Sequence, residues 1–284
     1  MKTVDKIIEE YSNLQKENIK KKSQVMTILI IGFSILLVIS FLLSDITLFF
    51  VLIWVSLGLL GLSLLLLLIF NYSVPEKPLY NYLYKEIIED INYDNSNYFN
   101  ITYESYSKDK DFVKDGGLFT RMSSKMLRFK ISFRNQEGKK ITLYDAYIYT
   151  QSNNATVVHL NGNYIIMETF NNDYFQLRHN GRPALKGIKF EKVVTDDVVK
   201  HYIEQDSNKR IESKYIGLYQ SLKDNDPKRK VFIGGIPNEL HLASFNSFLP
   251  RKVKVLDRNL YGSLRATLVQ TLLDLEQYYS AIDY

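Results

Sequence analysis

From Val25 to Phe70 the chain is apolar almost without interruption, and Asp45 is the one charged residue in the stretch. A single helix of that length would reach roughly 70 Å at about 1.5 Å per residue, more than twice the ~30 Å of a bilayer's hydrocarbon core. The pattern therefore predicts a reversal. Polar residues interrupt the run at Ser44-Asp45-Ile46-Thr47, leaving about 18 to 20 residues before the break and about 23 after it, each enough to span. Ahead of the run, Val4, Ile7, Ile8, Tyr11, Leu14 and Ile19 recur at helical spacing among Lys and Glu, which predicts an amphipathic helix that extends the first span.

Beyond Pro75 and Pro78 a second amphipathic helix is expected, with Leu79, Tyr80, Leu83, Ile87 and Ile91 along one face. Asn92 to Tyr106 is rich in Tyr, Asn, Asp and Ser, and Gly116-Gly117 punctuates the chain before Leu118-Phe119. From about Lys125 the period changes to alternation. Lys125 to Phe133 and Ile141 to Tyr149 read as a hairpin around Asn135-Gln136-Glu137-Gly138. Ala155 to Leu160 and Asn163 to Thr169 read as another, turning at Asn161-Gly162, a dipeptide that tolerates positive φ at both positions. Asp173 to Arg178 and Lys189 to Val194, with Asn180-Gly181-Arg182-Pro183 between them, complete a predicted antiparallel meander. Thr195-Asp196-Asp197 has the signature of a helix cap, predicting a helix to about Gln205, and Arg210 to Lys223 a further helix. Lys228 to Ile233 and Glu239 to Phe245 read as strands around Gly234-Gly235-Ile236-Pro237. The chain closes on a helix striped by Leu260, Leu264, Leu268, Leu272 and Leu275, a face expected to bury against the sheet, with a coiled coil as the alternative.

The fold class expected is therefore α+β: an N-terminal transmembrane helical hairpin followed by a cytosolic antiparallel sheet covered by helices. Its parts are a cytosolic leader helix at 1–24, the hairpin at 25–72, a linker with a juxtamembrane helix at 73–124, and the α+β domain at 125–284.

Charge sets the expected orientation. Lys2, Lys6, Lys16 and Lys20-Lys21-Lys22 precede the first span, Lys77 and Lys85 follow the second, and the reversal has no Lys or Arg. By the positive-inside rule both termini face the cytoplasm, making this a two-span protein of the cell membrane. The apolar run is too long for a signal peptide and no small-residue cleavage site follows it. Neither span interior carries Lys, Arg, Asp, Glu or His, so the hairpin reads as an anchor and not as a transport path. Gly32, Gly58 and Gly61 offer close helix approach, and Trp54 and Tyr72 suit the membrane interfaces. The net charge of +5 over 284 residues suits a protein lying against anionic lipid and is too diffuse to argue for nucleic acid. With no cysteine, disulfides, thiolate catalysis and Cys-ligated metals are excluded.

Two spans near the N-terminus, the helix of Tyr80, Tyr82 and Lys85, the Gly117-Leu118-Phe119 segment, the Leu160 to Ile165 stretch and the Phe190 to Asp197 junction together resemble domain-of-unknown-function family 3137. The resemblance implies a bacterial membrane protein with a cytosolic C-terminal domain, and it brings no activity, cofactor or catalytic residue. Where that family tends to place an aromatic before the turn glycine, this chain has Asn161.

Candidate chemistry is sparse. Asp197 and His201 would share one face of the expected helix as half a metal site, with a capping acid and a surface His as the plainer account. His241 and Ser244 suggest a Ser-His pair, but no orienting acid is apparent beside them. Gly234-Gly235 lacks the spacing of a phosphate loop, and Pro237 favours a turn into another strand. Asn100-Ile101-Thr102 and Asn154-Ala155-Thr156 match the glycosylation sequon but would face the cytoplasm. The basic clusters are the remaining candidates, for lipid-headgroup contact: Lys20, Lys21 and Lys22, then Lys228, Arg229 and Lys230, then Arg251, Lys252 and Lys254. No catalytic, metal or cofactor residue is assigned. The function expected is a non-catalytic binding or scaffold module at the inner membrane face, with the bilayer, a protein partner or a second copy of the chain as partners. A membrane-tethered enzyme is the alternative.

Overall fold

The computed structural model describes residues 2–42, 54–55, 58, 61, 77–94, 99–105, 116–119, 124–152, 155–183, 185–195, 199–205, 210–224, 230–245, 247, 249–250, 253 and 255–283. The reversal at Ser44 to Thr47 and most of the second expected span lie outside the described residues. Among the described residues no helix is long and apolar enough to cross a membrane.

The chain divides into two compact units, one of Lys2–Leu83 with Lys254–Arg258, the other of Tyr84–Val253 with Asn259–Tyr284. In the first, α1 (Val4–Leu42) is one continuous helix through the leader and into the apolar run. Ile7 and Tyr11 are buried. Glu10 accepts hydrogen bonds from Lys2 at 2.8 Å and from the Tyr82 hydroxyl at 2.6 Å, and Asp5 accepts one from Nε of Arg258 at 2.6 Å. From Val25 onward α1 turns large apolar side chains outward: Ile28 is 69% exposed, Ile35 54% and Val38 58%.

The second unit is built on an antiparallel sheet of nine described strands in the order β1-β2-β3-β4-β9-β8-β5-β7-β6. The strands are β1 (Thr102–Ser105), β2 (Ser124–Arg134), β3 (Lys140–Ser152), β4 (Ala155–Glu168), β5 (Phe175–Arg178), β6 (Phe190–Thr195), β7 (Lys200–Glu204), β8 (Val231–Ile236) and β9 (Glu239–Phe245). Helix α2 (Lys77–Asp94) enters from the first unit, and α3 (Ser213–Asp224) and α4 (Arg258–Asp283) complete the fold. Because paired residues share a face, the register sorts the side chains. Phe129, Ile131, Phe133, Ile141, Leu143 and Ile165 point to the helical side, where Tyr84 of α2 stacks on Phe129 and Tyr215 of α3 meets Phe175. Arg265 of α4 ties to α2 through Asp90 at 2.8 Å and through Asp94. Leu264, Leu268, Leu272 and Leu275 of α4 are buried, the leucine face that the sequence periodicity marks.

Four local expectations are corrected. Where a helix is expected after the Thr195-Asp196-Asp197 cap to about Gln205, Lys200–Glu204 is strand β7, which pairs with β5 on one side and β6 on the other. Backbone partners on both edges and burial of Tyr202 and Ile203 outweigh the cap signature before them. Asn161-Gly162 makes no turn: it lies inside β4, where Asn161 faces Tyr147 and Gly162 faces Ala146, and the reversal falls between Ser152 and Ala155. The meander is also broken, since β7 separates β5 from β6 and β8 and β9 insert between β4 and β5. Gly234 and Gly235 belong to β8, and the turn into β9 is carried by Pro237 and Asn238, the latter at φ 65°. The hairpin at Asn135 to Gly138 forms as expected, with Oδ1 of Asn135 accepting from the backbone of Glu137 and Lys139.

Candidate functional site

The face of the sheet opposite the helices carries the polar chemistry. Across it run Lys192, Tyr202, Gln176, Gly234, His241 and Ile166, each the register partner of the next. Beside them lies a second row of Lys200, Arg178, Phe232, Ala243, Tyr164 and Tyr144. The segment Gly116 to Phe119 covers the middle of this face. Phe119 sets its ring edge to Phe232 at 5.5 Å, and the Gly117 carbonyl accepts from Nε2 of Gln176 at 3.1 Å.

Under that segment lies a polar chain whose two inner members, Tyr164 and His241, are buried. Oη of Tyr164 is 3.0 Å from Nδ1 of His241, whose Nε2 is 2.9 Å from Oε2 of Glu239. A carboxylate only accepts, so Nε2 of His241 carries a proton and donates it to Glu239. The hydrogen bond from His241 holds the Glu239 carboxyl below its ordinary value. Glu239 is the orienting acid that the sequence reading did not find. It sits two positions along the same strand, where side chains return to the same face. Ser244 falls on the opposite face and bonds to the Phe245 carbonyl, so no Ser-His pair forms. Tyr164 and His241 are both 0% exposed, which makes the chain a structural clamp in this conformation.

The second feature is a buried cation. Arg178 is 5% exposed; its Nη1 donates to Oε1 of Gln176 at 2.6 Å and its Nε to the Asn180 carbonyl at 3.3 Å, and the guanidinium lies 5.2 Å from the Phe232 ring centre. Among the described residues no carboxylate pairs with it. Burial pushes its pKa down to about 10. Beside Arg178 the Asn180 to Pro183 turn walls a groove of about 720 Å³. Arg182, Lys192, Lys200 and Tyr202 supply its polar lining, and Leu185, Ile188 and Phe190 the apolar part. A second cleft, beside Asn171, Phe175 and Tyr215, has only about 10 Å³, barely room for one water.

The positive charge extends past the groove along one end of neighbouring strands. Lys200 begins β7, Lys230 precedes β8, and Lys223 lies at the end of α3. All three depress the pKa of His179, after burial, which is the larger cause. Of the basic residues singled out in the sequence, Lys230 is thus brought to this cluster. Lys20 and Lys21 are exposed on α1, Lys21 paired with Glu17 at 2.8 Å. The Lys22 side chain and Lys228, Arg229, Arg251, Lys252 and Lys254 lie outside the described residues. His201 is on a strand, where helical spacing does not apply, and Asp197 is outside the described residues. Arg178, Lys192 and Lys200 escape a sequence reading because polar residues alternating with apolar ones look like an ordinary wetted face.

No family model, curated protein or solved structure matches the chain.

Proposed function

We propose that this chain is a non-catalytic binding or scaffold module held at the inner face of a cell membrane by a two-span hairpin, with both termini on the cytoplasmic side. The observation that carries this reading is the outward apolar surface of α1, where Ile28, Ile31, Ile35 and Val38 are more than half exposed along a helix with no charge after Lys22. A helix surface of that kind needs lipid or protein to cover it. Exposed lysines immediately before it, Lys20 and Lys21, suit anionic headgroups, and the basic groove gives the sheet unit a surface for an anionic partner. The enzyme alternative would need the Glu239, His241 and Tyr164 chain to reach a substrate, and its two inner members are sealed from solvent.

The absence of native cysteine makes the test direct. Single cysteines at Ser12, Ser44 and Ser280 are probed in cells with a membrane-impermeant maleimide. Ser44→Cys is expected to react in intact cells, and Ser12→Cys and Ser280→Cys only after permeabilisation. Labelling of Ser280→Cys in intact cells overturns the proposed topology.

A further inference from the structure

We infer that the groove between the Asn180 to Pro183 turn and strands β6 and β7 binds the phosphate head of an anionic phospholipid, with Arg178 as a buried anchor behind it. The inference deepens the membrane reading above and rests on it. Its grounds are the charge and polarity of the groove. A guanidinium taken out of water normally keeps a carboxylate, yet Arg178 has only neutral acceptors, Oε1 of Gln176 and the carbonyl of Asn180, among the described residues. Its Nη2 lies 3.5 Å from where a Cβ on Gly181 would stand, and Gly181 lines the groove. In front of it Arg182, Lys192 and Lys200 add cationic groups, and Tyr202 is fixed by donating to the Gly181 carbonyl at 3.2 Å. Glu204, an acid on the same face beside the groove, pairs in register with Phe190 and is not part of the groove lining.

This arrangement calls for a ligand with both characters. A phosphate ester accepts charge-assisted hydrogen bonds from arginine and lysine together. Leu185, Ile188 and Phe190 offer apolar surface alongside, which a free phosphate leaves uncovered and the glycerol and first acyl carbons of a lipid cover. The phospholipid is therefore the better match on polarity as well as charge.

His179 supplies an internal reporter, because Lys200 belongs both to the groove and to the cations that face its ring; the others are Lys223 from α3 and Lys230 before β8. The full chain is reconstituted in nanodiscs of phosphatidylcholine alone or with added phosphatidylglycerol, and its four histidines are titrated by NMR of labelled imidazoles. The His179 signal is assigned by its loss in His179→Gln. Phosphatidylglycerol is expected to raise the His179 titration midpoint by about 0.5 to 1 unit while leaving His159 in place, since an anion offsets neighbouring positive charge. Arg182→Gln with Lys200→Gln, both at solvent-reaching positions, is expected to demand about tenfold more phosphatidylglycerol for the same shift. Arg178→Gln should abolish the shift, and its spectrum elsewhere reports whether the fold survives.

An equal movement of His159 would reveal only the general surface potential of the membrane and overturns the site. So does the absence of a shift, or retention of the full shift in the double variant. Inorganic phosphate and glycerol 3-phosphate in the phosphatidylcholine discs separate the sources: a shift at low concentration of either assigns the groove to a free ester and overturns the lipid. Failure of the chain to enter nanodiscs would sink the membrane anchor, and with it the lipid as occupant; the soluble esters then probe the groove in detergent.

Discussion

A methyl group on Gly116 would stand 2.4 Å from Nδ1 of His241 and 2.5 Å from Oη of Tyr164, inside contact distance of both. One on Gly234 would meet Cδ2 of Leu118 at 2.9 Å from the other side of the same segment. These two glycines let the covering segment approach the sheet closely enough to seal Tyr164 and His241. Gly116→Ala should therefore cost about 1–3 kcal/mol, as overpacking of a filled interior does, and a urea titration of the sheet unit's signals reads the loss. Gly217, exposed in α3 with open space where its Cβ would be, is the contrast: Gly217→Ala should gain about 0.5–1 kcal/mol from helix propensity. Acid stability separates two other residues. Glu239 titrates below 4.5 in the fold, so the unfolded chain takes up that proton first, and its stabilisation is present above 4.5 and lost as pH falls through the lowered value. His179 titrates below 6.5, so the unfolded chain again binds the proton first, and stability declines once pH drops below about 6.5. Denaturation midpoints measured from neutral to acid pH should fall in two stages, His179→Gln removing the upper and Glu239→Gln shrinking the lower, to which the lowered carboxyls of Asp5, Glu10 and Glu17 also contribute.

At the scale of elements, periodicity was informative wherever one face of an element is buried and the other wet. The leucine face of α4 is the clearest case, and Leu268→Ala, at a position with 0% exposure, should cost about 2–5 kcal/mol, read as a lowered denaturation midpoint. Leu273→Ala on the same helix, 37% exposed, should cost far less. The strand pair around Asn135 and the helix ending near Lys223 were legible for the same reason. Where both faces of the sheet are covered, alternation loses its meaning. In β5, Gln176 and Arg178 look like the wet side of a strand but lie beneath a loop, at 1% and 5% exposed. β7 carries a cap-like sequence ahead of it, and only its two strand neighbours decide its conformation. Nothing local reports those neighbours: β5 lies between β7 and β8, elements far along the chain, and the basic groove exists only once β6 and β7 are assembled beside the Asn180 to Pro183 turn. The Glu239 and His241 pair was within reach, because two-residue spacing in a strand predicts a shared face, but Tyr164 comes from β4 and could not be read beside them.

For the whole molecule, the question is what covers α1. Its first turns are tied within their own unit by Glu10 to Lys2 and Tyr82 and by Asp5 to Arg258, whereas the turns beyond Val25 present Ile31 at 53% and Ile35 at 54% to the outside. If lipid covers these positions, placing charge there is costly: a lysine near the middle of a bilayer-spanning helix disfavours insertion by about 2.5–3.5 kcal/mol. Two such changes one turn apart would nearly double that penalty on a segment whose remaining apolar residues must supply all the insertion energy. Ile31→Lys with Ile35→Lys should thus shift the chain from the carbonate-resistant membrane pellet toward the supernatant, while the parent chain stays in the pellet. Lys20→Gln with Lys21→Gln should leave the parent pattern unchanged, because exposed lysines attract headgroups through a screened interaction that carbonate disrupts in any case. A parent chain that washes off in carbonate would end the hairpin reading. A lysine-bearing chain retained as firmly as its parent would show that the outward face of α1 meets something other than the bilayer core, and the cover would then have to be sought in a second copy of the chain.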